Sequence, residues 1–283
     1  MSHTFRLPLT TPPDLPAALA TLPVDDVEAD EGLPEAGTWP EGTWLHLFRR
    51  GVSCRTVELS LDDEGLEVRI FTSSSADDVL LALALVQELA ERHGVSVHDE
   101  HGDLVAAEAM DAHYDGFAEQ YAQWGAEMVP RMLAQGDVQG PLTLPGPGRP
   151  FVVGRRLLSA LEPEEPGYVD RFYSRMRTVR WFDPDGLWFH AEQLVLARDD
   201  GFEVKLAAMG PGVRYLMPDV HGFALHAGEL AAPLFLPHEQ LPRLLDVEWL
   251  DERQFLVDAV AEEDWDAFLE GAEPLCEPVE SLG

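Results

Sequence analysis

The chain has 283 residues, 46% of them hydrophobic, with thirteen Phe and seven Trp; it can build a substantial core in one large domain or two smaller ones, which excludes wholesale disorder. Fifty-two Asp and Glu against nineteen Lys and Arg give a net charge of −33, a surface that repels phosphate backbones and anionic lipid and so argues against nucleic acid and membrane as partners. The two cysteines, Cys54 and Cys276, lie far apart with no metal-ligand spacing, as expected of free thiols in a reducing compartment.

Residues 1–42 are rich in Pro, Asp and Glu, lack the charged and apolar regions of a signal peptide, and read as an extended lead-in with one short helix over 15–22. Strands are expected over 44–49, 56–61 and 66–72, the last two joined by Asp62-Asp63-Glu64-Gly65 at hairpin spacing. A helix then runs from Ser75, which can cap it, to His93, with Asp77 and Asp78 complementing its dipole and Gly94 placed to end it. A short strand over 95–99 follows. Tyr114, Phe117, Tyr121, Trp124 and Met128, at spacings of three and four, mark a second helical stretch over about 104–133.

Four prolines and five glycines between Gly136 and Gly154 make that stretch the best boundary between a first unit, 43–140, and a second, 155–283, although a loop within one merged domain would read the same way. The second half is expected to be strand-rich: 178–182, 187–197, 202–208 across the Asp199-Asp200-Gly201 turn, 223–226, 233–236, 247–250 and 254–260, with short helices over 239–245 and 263–269. The fold class is therefore α+β, with antiparallel sheets and packed helices, and strands preceding helix in both halves raises two similar α+β units as an alternative.

The chain contains no G-x-x-x-x-G-K-[ST], G-x-S-x-G, H-E-x-x-H or G-x-G-x-x-G signature, so no catalytic residue, cofactor or metal ligand is assigned. His98, Asp99, Glu100, His101 and Asp103 offer ligand types for a divalent ion, but strand alternation would split them between faces. His221 and His226 face the same objection. Arg171, Arg175, Arg177 and Arg180 form the densest basic patch and could capture an anionic ligand, the alternative being ion pairs with the chain's own carboxylates. Eleven acids against Arg253 alone occupy the last 33 residues. There Glu262, Glu263, Asp264 and Asp266 surround Trp265, so the carboxylates could steer a basic partner while the indole anchors it.

The run from Thr56 to Gly102, together with DVEWLDERQFLVDAV and the Trp265 helix, resembles uncharacterised bacterial families, some of them similar to immunity proteins of contact-dependent toxin systems. That resemblance implies an acidic, cytoplasmic protein-binding protein that masks a basic toxin or effector. The competing expectation is a metal- or anion-dependent enzyme using the His98–Asp103 cluster or the arginine patch.

Overall fold

Alternation along the first residues builds a strand where composition suggested none. The computed structural model describes residues 2–39, 44–135, 140–182, 188–198, 201–227 and 233–282, and divides into two compact units, Met1–Phe182 and Asp183–Gly283. In the first, Ser2–Leu7 forms β1, with His3, Phe5 and Leu7 buried on one face. Leu15–Leu19 forms α1, Val27–Ala29 β2, Leu45–Arg49 β3, Val57–Asp62 β4 and Gly65–Phe71 β5. Ala76–His93 is α2, Val97–Asp99 β6 and Leu104–Val105 β7.

The sheet order is β2-β3-β4-β5-β1-β6-β7, every pair antiparallel. The segment read as a lead-in therefore supplies an interior strand. Its prolines fall after β1, where they end the strand without removing a ladder donor. One sheet face packs Phe5, Leu7, Val68 and Ile70 with Val79, Leu85 and Leu89 of α2. The opposite face carries a charged ladder: Glu58 meets His46 on β3 at 3.3 Å and Arg69 on β5 at 3.1 Å, and Arg69 and Arg6 converge on Glu67. Burial pushes the Glu58 carboxyl up, opposed by the Arg69 charge.

Helix α2 forms as its residues dictate. The Ser75 hydroxyl accepts from the Asp78 N–H, Asp78 returns a bond to the Ser75 N–H, and Gly94 closes the helix in the left-handed region at φ 62°. The second expected helix is interrupted. Gly116, also left-handed, separates α3 (Met110–His113) from α4 (Phe117–Ala134). Pro130 sits inside α4 and cannot donate to the Ala126 carbonyl, and the Tyr168 hydroxyl, at 3.2 Å, donates there instead.

Leu142–Leu144 (β8) and Phe151–Val153 (β9) form a hairpin, followed by α5 (Arg155–Leu161) and α6 (Tyr168–Arg180). Two expectations change here. Residues 178–180, read as the start of a strand, end α6, because Tyr168, Phe172, Met176 and Val179 recur at helical spacing and are buried. The Pro/Gly-rich stretch, whose residues 136–139 lie outside the described residues, falls within the first unit, and the division comes after Phe182.

In the second unit, β10 (Phe189–His190), β11 (Gln193–Ala197), β12 (Glu203–Met209), β13 (Tyr215–Met217), β14 (Gly222–Leu225) and β15 (Leu234–Pro237) precede α7 (Leu241–Leu244). Then come β16 (Val247–Trp249), β17 (Phe255–Val257) and α8 (Trp265–Ala272). Leu187, Asp199 and Asp200, part of the expected strand and turn, lie outside the described residues. The strands form two four-stranded sheets, β10-β13-β17-β16 and β11-β12-β14-β15, each with one parallel pair. The protein is α+β, with an antiparallel sheet in one unit and mixed sheets in the other. The two units do not share a topology.

Candidate functional site

Four places carry side chains whose chemistry suits a ligand or partner, and the structure sorts them differently from the sequence.

The arginine patch comes apart. Arg171 and Arg175 lie four apart on one side of α6, whereas Arg177 and Arg180 project from other faces. Arg171 donates to the backbone oxygens of Leu161, Glu162, Glu165 and Pro166, fastening the α5–α6 connection. Arg177 donates to Val52 O at 2.9 Å and to Asp77 at 3.1 Å. Arg180 is buried and reaches the carbonyls of Leu144, Pro145 and Arg149 at 2.7–3.0 Å. Only Arg175, beside Arg171 in an open pocket with Asp170, is without such a partner among the described residues. The four side chains do not converge on one anion; three of them pin the chain's own loops, mostly through carbonyls rather than the carboxylates expected.

The acidic C-terminal segment keeps its charge and loses its anchor. Glu262, Glu263, Asp264 and Asp266 are exposed. Trp265 is 5% exposed, packed in the second unit's core against Phe268, with its indole N–H on His226 O at 2.7 Å. An aromatic anchor was expected here, and burial removes it.

The histidine-rich turn is better organised than alternation predicted. β6 ends at Asp99, whose carboxylate accepts the N–H groups of His101 and Asp103 at 2.9 Å and folds the chain back. Glu100 and His101 thereby share a place instead of facing apart. His3, on β1, joins them: its Nδ1 is 3.0 Å from Glu100 Oε1, and His101 Nε2 lies 3.9 Å from the same oxygen. His3, Glu100 and His101 each bring a ligand atom within 4.8 Å of the others, as do Asp99, Asp103 and His113. His98 belongs to neither set and is exposed. Burial holds His3 below the usual histidine range, favouring its neutral form, while Glu100 pulls the other way. Sequence reading missed His3 because strand pairing alone carries it to the turn. His221 and His226 enter no three-ligand cluster among the described residues; the His221 ring instead accepts the Lys205 N–H at 2.8 Å.

The fourth place carries no sequence motif. A groove of about 770 Å³ runs between α2 and the α3–α4 segment. Leu80, Leu83, Ala84 and Gln87 of α2 recur at helical spacing along one wall. Met110, Tyr114 and Ala118, all buried, form the floor. Asp111, Asp115 and Glu119, each exposed and four residues apart, form the opposite rim. Leu80 is 49% exposed, a large apolar side chain facing solvent on an otherwise well-packed helix. Among the described residues, no cationic side chain lines the groove. Its volume falls in the range of ligand sites, but an apolar wall facing a row of carboxylates is the shape and charge that receives an amphipathic, basic helix. The spacing of Leu80, Leu83 and Gln87 could have pointed to it from sequence; the facing wall, formed by a broken helix, could not.

Among the described residues no helix is long and apolar enough to cross a membrane. Comparison with curated proteins and with solved structures finds no match. Residues 25–195, more than half of the chain and spanning the walls of the groove and the histidine turn, match the family model described as Domain of unknown function (DUF4299), and the chain belongs to that family.

Proposed function

We propose that this is an acidic, cytoplasmic protein-binding protein that captures a basic segment of a partner, and that the α2/α3–α4 groove is where it does so. The observation that carries this reading is the pairing of the exposed Leu80 wall with the Asp111, Asp115 and Glu119 rim. An amphipathic helix would lay its apolar face on Leu80, Leu83 and Met110 and its Lys or Arg side chains against the rim. The net charge of −33 and the exposed Glu262, Glu263, Asp264 and Asp266 would speed encounter without supplying an anchor. An immunity-type role, masking a basic toxin or effector, is the form of this function that the sequence resemblance suggests.

Leu80→Glu separates groove binding from general attraction of cations. The substitution makes the protein more negative, so non-specific binding of a fluorescent Leu/Lys amphipathic helical peptide would tighten. Seating the peptide in the groove would instead lose roughly 1–1.5 kcal/mol of apolar burial at the half-exposed Leu80. The expected result is about tenfold weaker binding by anisotropy. Equal or tighter binding by Leu80→Glu would sink the proposal.

A second reading, a divalent-cation site, is favoured by the convergence of His3, Glu100 and His101. Two imidazoles and a carboxylate, with Glu100 and His101 open to solvent, suit zinc or a similar ion with free coordination positions. Zinc titrated into chelator-treated protein is expected to bind one equivalent by calorimetry, with His101→Ala weakening it at least tenfold. Indifference to His101→Ala would leave the His3–Glu100 contact as a structural hydrogen bond.

A further inference from the structure

We infer that two copies of this chain associate through β11, whose free edge pairs antiparallel with itself about Val195. Among the described residues, strand β11 is the outer strand of its sheet and pairs only with β12. The Arg198 N–H donates to Phe202 O and the Ala208 N–H to Glu192 O; the backbone groups of the even-numbered residues therefore face β12. In an antiparallel ladder those groups alternate sides, so the N–H and C=O of Gln193, Val195 and Ala197 point outward, unpaired among the described residues. Leu194, Val195 and Leu196 are 38%, 54% and 39% exposed. No charge or proline interrupts Gln193–Ala197, the devices by which natural edges resist pairing.

The sequence of the edge selects the occupant and the register. A second β11 centred on Val195 places Gln193 opposite Ala197 of the other copy, so all three outward-facing residues exchange both backbone hydrogen bonds. Leu194 then lies beside Leu196 of the other copy, at the closer-spaced positions of the ladder, on the face where Leu206 and Val204 are already buried. Glu192 falls opposite Arg198 of the other copy, and the twofold symmetry makes that pair twice. A strand so strongly self-complementary in hydrogen bonding, apolar contact and charge fits a second copy of this chain. This inference is independent of the groove.

Sedimentation velocity over a dilution series tests it. The wild type is expected to run as a monomer–dimer equilibrium. Val195→Pro removes an outward N–H that β12 does not use, so it should leave the fold intact by circular dichroism and abolish the dimer. Glu192→Arg and Arg198→Glu, each placing like charges opposite one another twice, should each weaken the dimer about tenfold. The double exchange should restore it to within about threefold. Wild-type protein that stays monomeric at every concentration overturns the inference, as does a dimer indifferent to Val195→Pro or one that the double exchange fails to restore.

Discussion

Asp78→Ala is expected to lower the unfolding free energy by about 3–5 kcal/mol, measured by chemical denaturation. Asp78 is fully buried, and one carboxylate oxygen accepts four donors: the backbone N–H groups of Cys54, Arg55 and Ser75 at 2.9–3.2 Å and the Ser75 hydroxyl at 2.8 Å. The side chain thus does two things. It caps α2, and it ties the β3–β4 connection to that cap. Burial pushes its carboxyl up, against the pull of the Ser75 and Arg55 donors. Burial also lowers the Arg55 guanidinium, which the Asp78 charge helps to keep protonated. Removing the carboxylate strands three buried N–H groups, at about 1–3 kcal/mol each before relaxation, and takes from the Arg55 cation the charge that opposes its desolvation. Asp78→Asn keeps an acceptor oxygen and should cost less than half as much. Since domains of this kind have about 5–15 kcal/mol in total, Asp78→Ala should be marginal at ambient temperature. A loss under 1 kcal/mol would show that the node does not hold the first unit together.

Arg180→Met should cost a similar amount, about 3–5 kcal/mol, while Arg175→Ala, five residues earlier on α6, should stay within about 0.5 kcal/mol of wild type. Arg180 organises the stretch that composition made look like a linker. Its guanidinium donates to Leu144, Pro145 and Arg149 carbonyls, and the chain between them wraps so tightly that a Cβ on Gly146 would lie 2.6 Å from the guanidinium carbon. At Gly148, φ is +67° and a Cβ would meet the Arg180 carbonyl oxygen at 2.6 Å. These glycines permit close backbone approach to one buried cation. Methionine fills the volume but donates nothing, so three carbonyls lose charge-assisted bonds worth about 1.5–3 kcal/mol each before relaxation. Equal, small effects at Arg175 and Arg180 would instead restore the reading of the two as members of one surface patch.

What was legible in the sequence was local. Helix α2, its Ser75 cap and its Gly94 stop follow from residues within four positions of one another, as does the Asp62–Gly65 hairpin. Features set by distant partners were not. β1 looked like part of a lead-in because prolines crowd the residues just after the strand, and nothing nearby signals that β5 and β6 will enclose it. Residues 178–180 contain β-branched and aromatic neighbours that mimic a strand, and burial of Val179 against the α6 stripe decides otherwise. The same limit governs the candidate sites. Trp265 and its acids form a convincing local pattern, yet the indole is recruited to the core by the His226 carbonyl. His3 reaches Glu100 and His101 only through the β1–β6 pairing. The groove depends on a helix break at Gly116 that the periodic aromatics conceal.

Amide hydrogen exchange of the chain with and without a saturating Leu/Lys amphipathic peptide tests the central claim most directly, because it reports where the peptide sits rather than how tightly. Protection is expected over residues 80–87 and 110–119, and to disappear in Leu80→Glu. Protection centred on 262–273 or on 171–180, or a uniform weak effect over all acidic surfaces, would contradict the groove as the binding site.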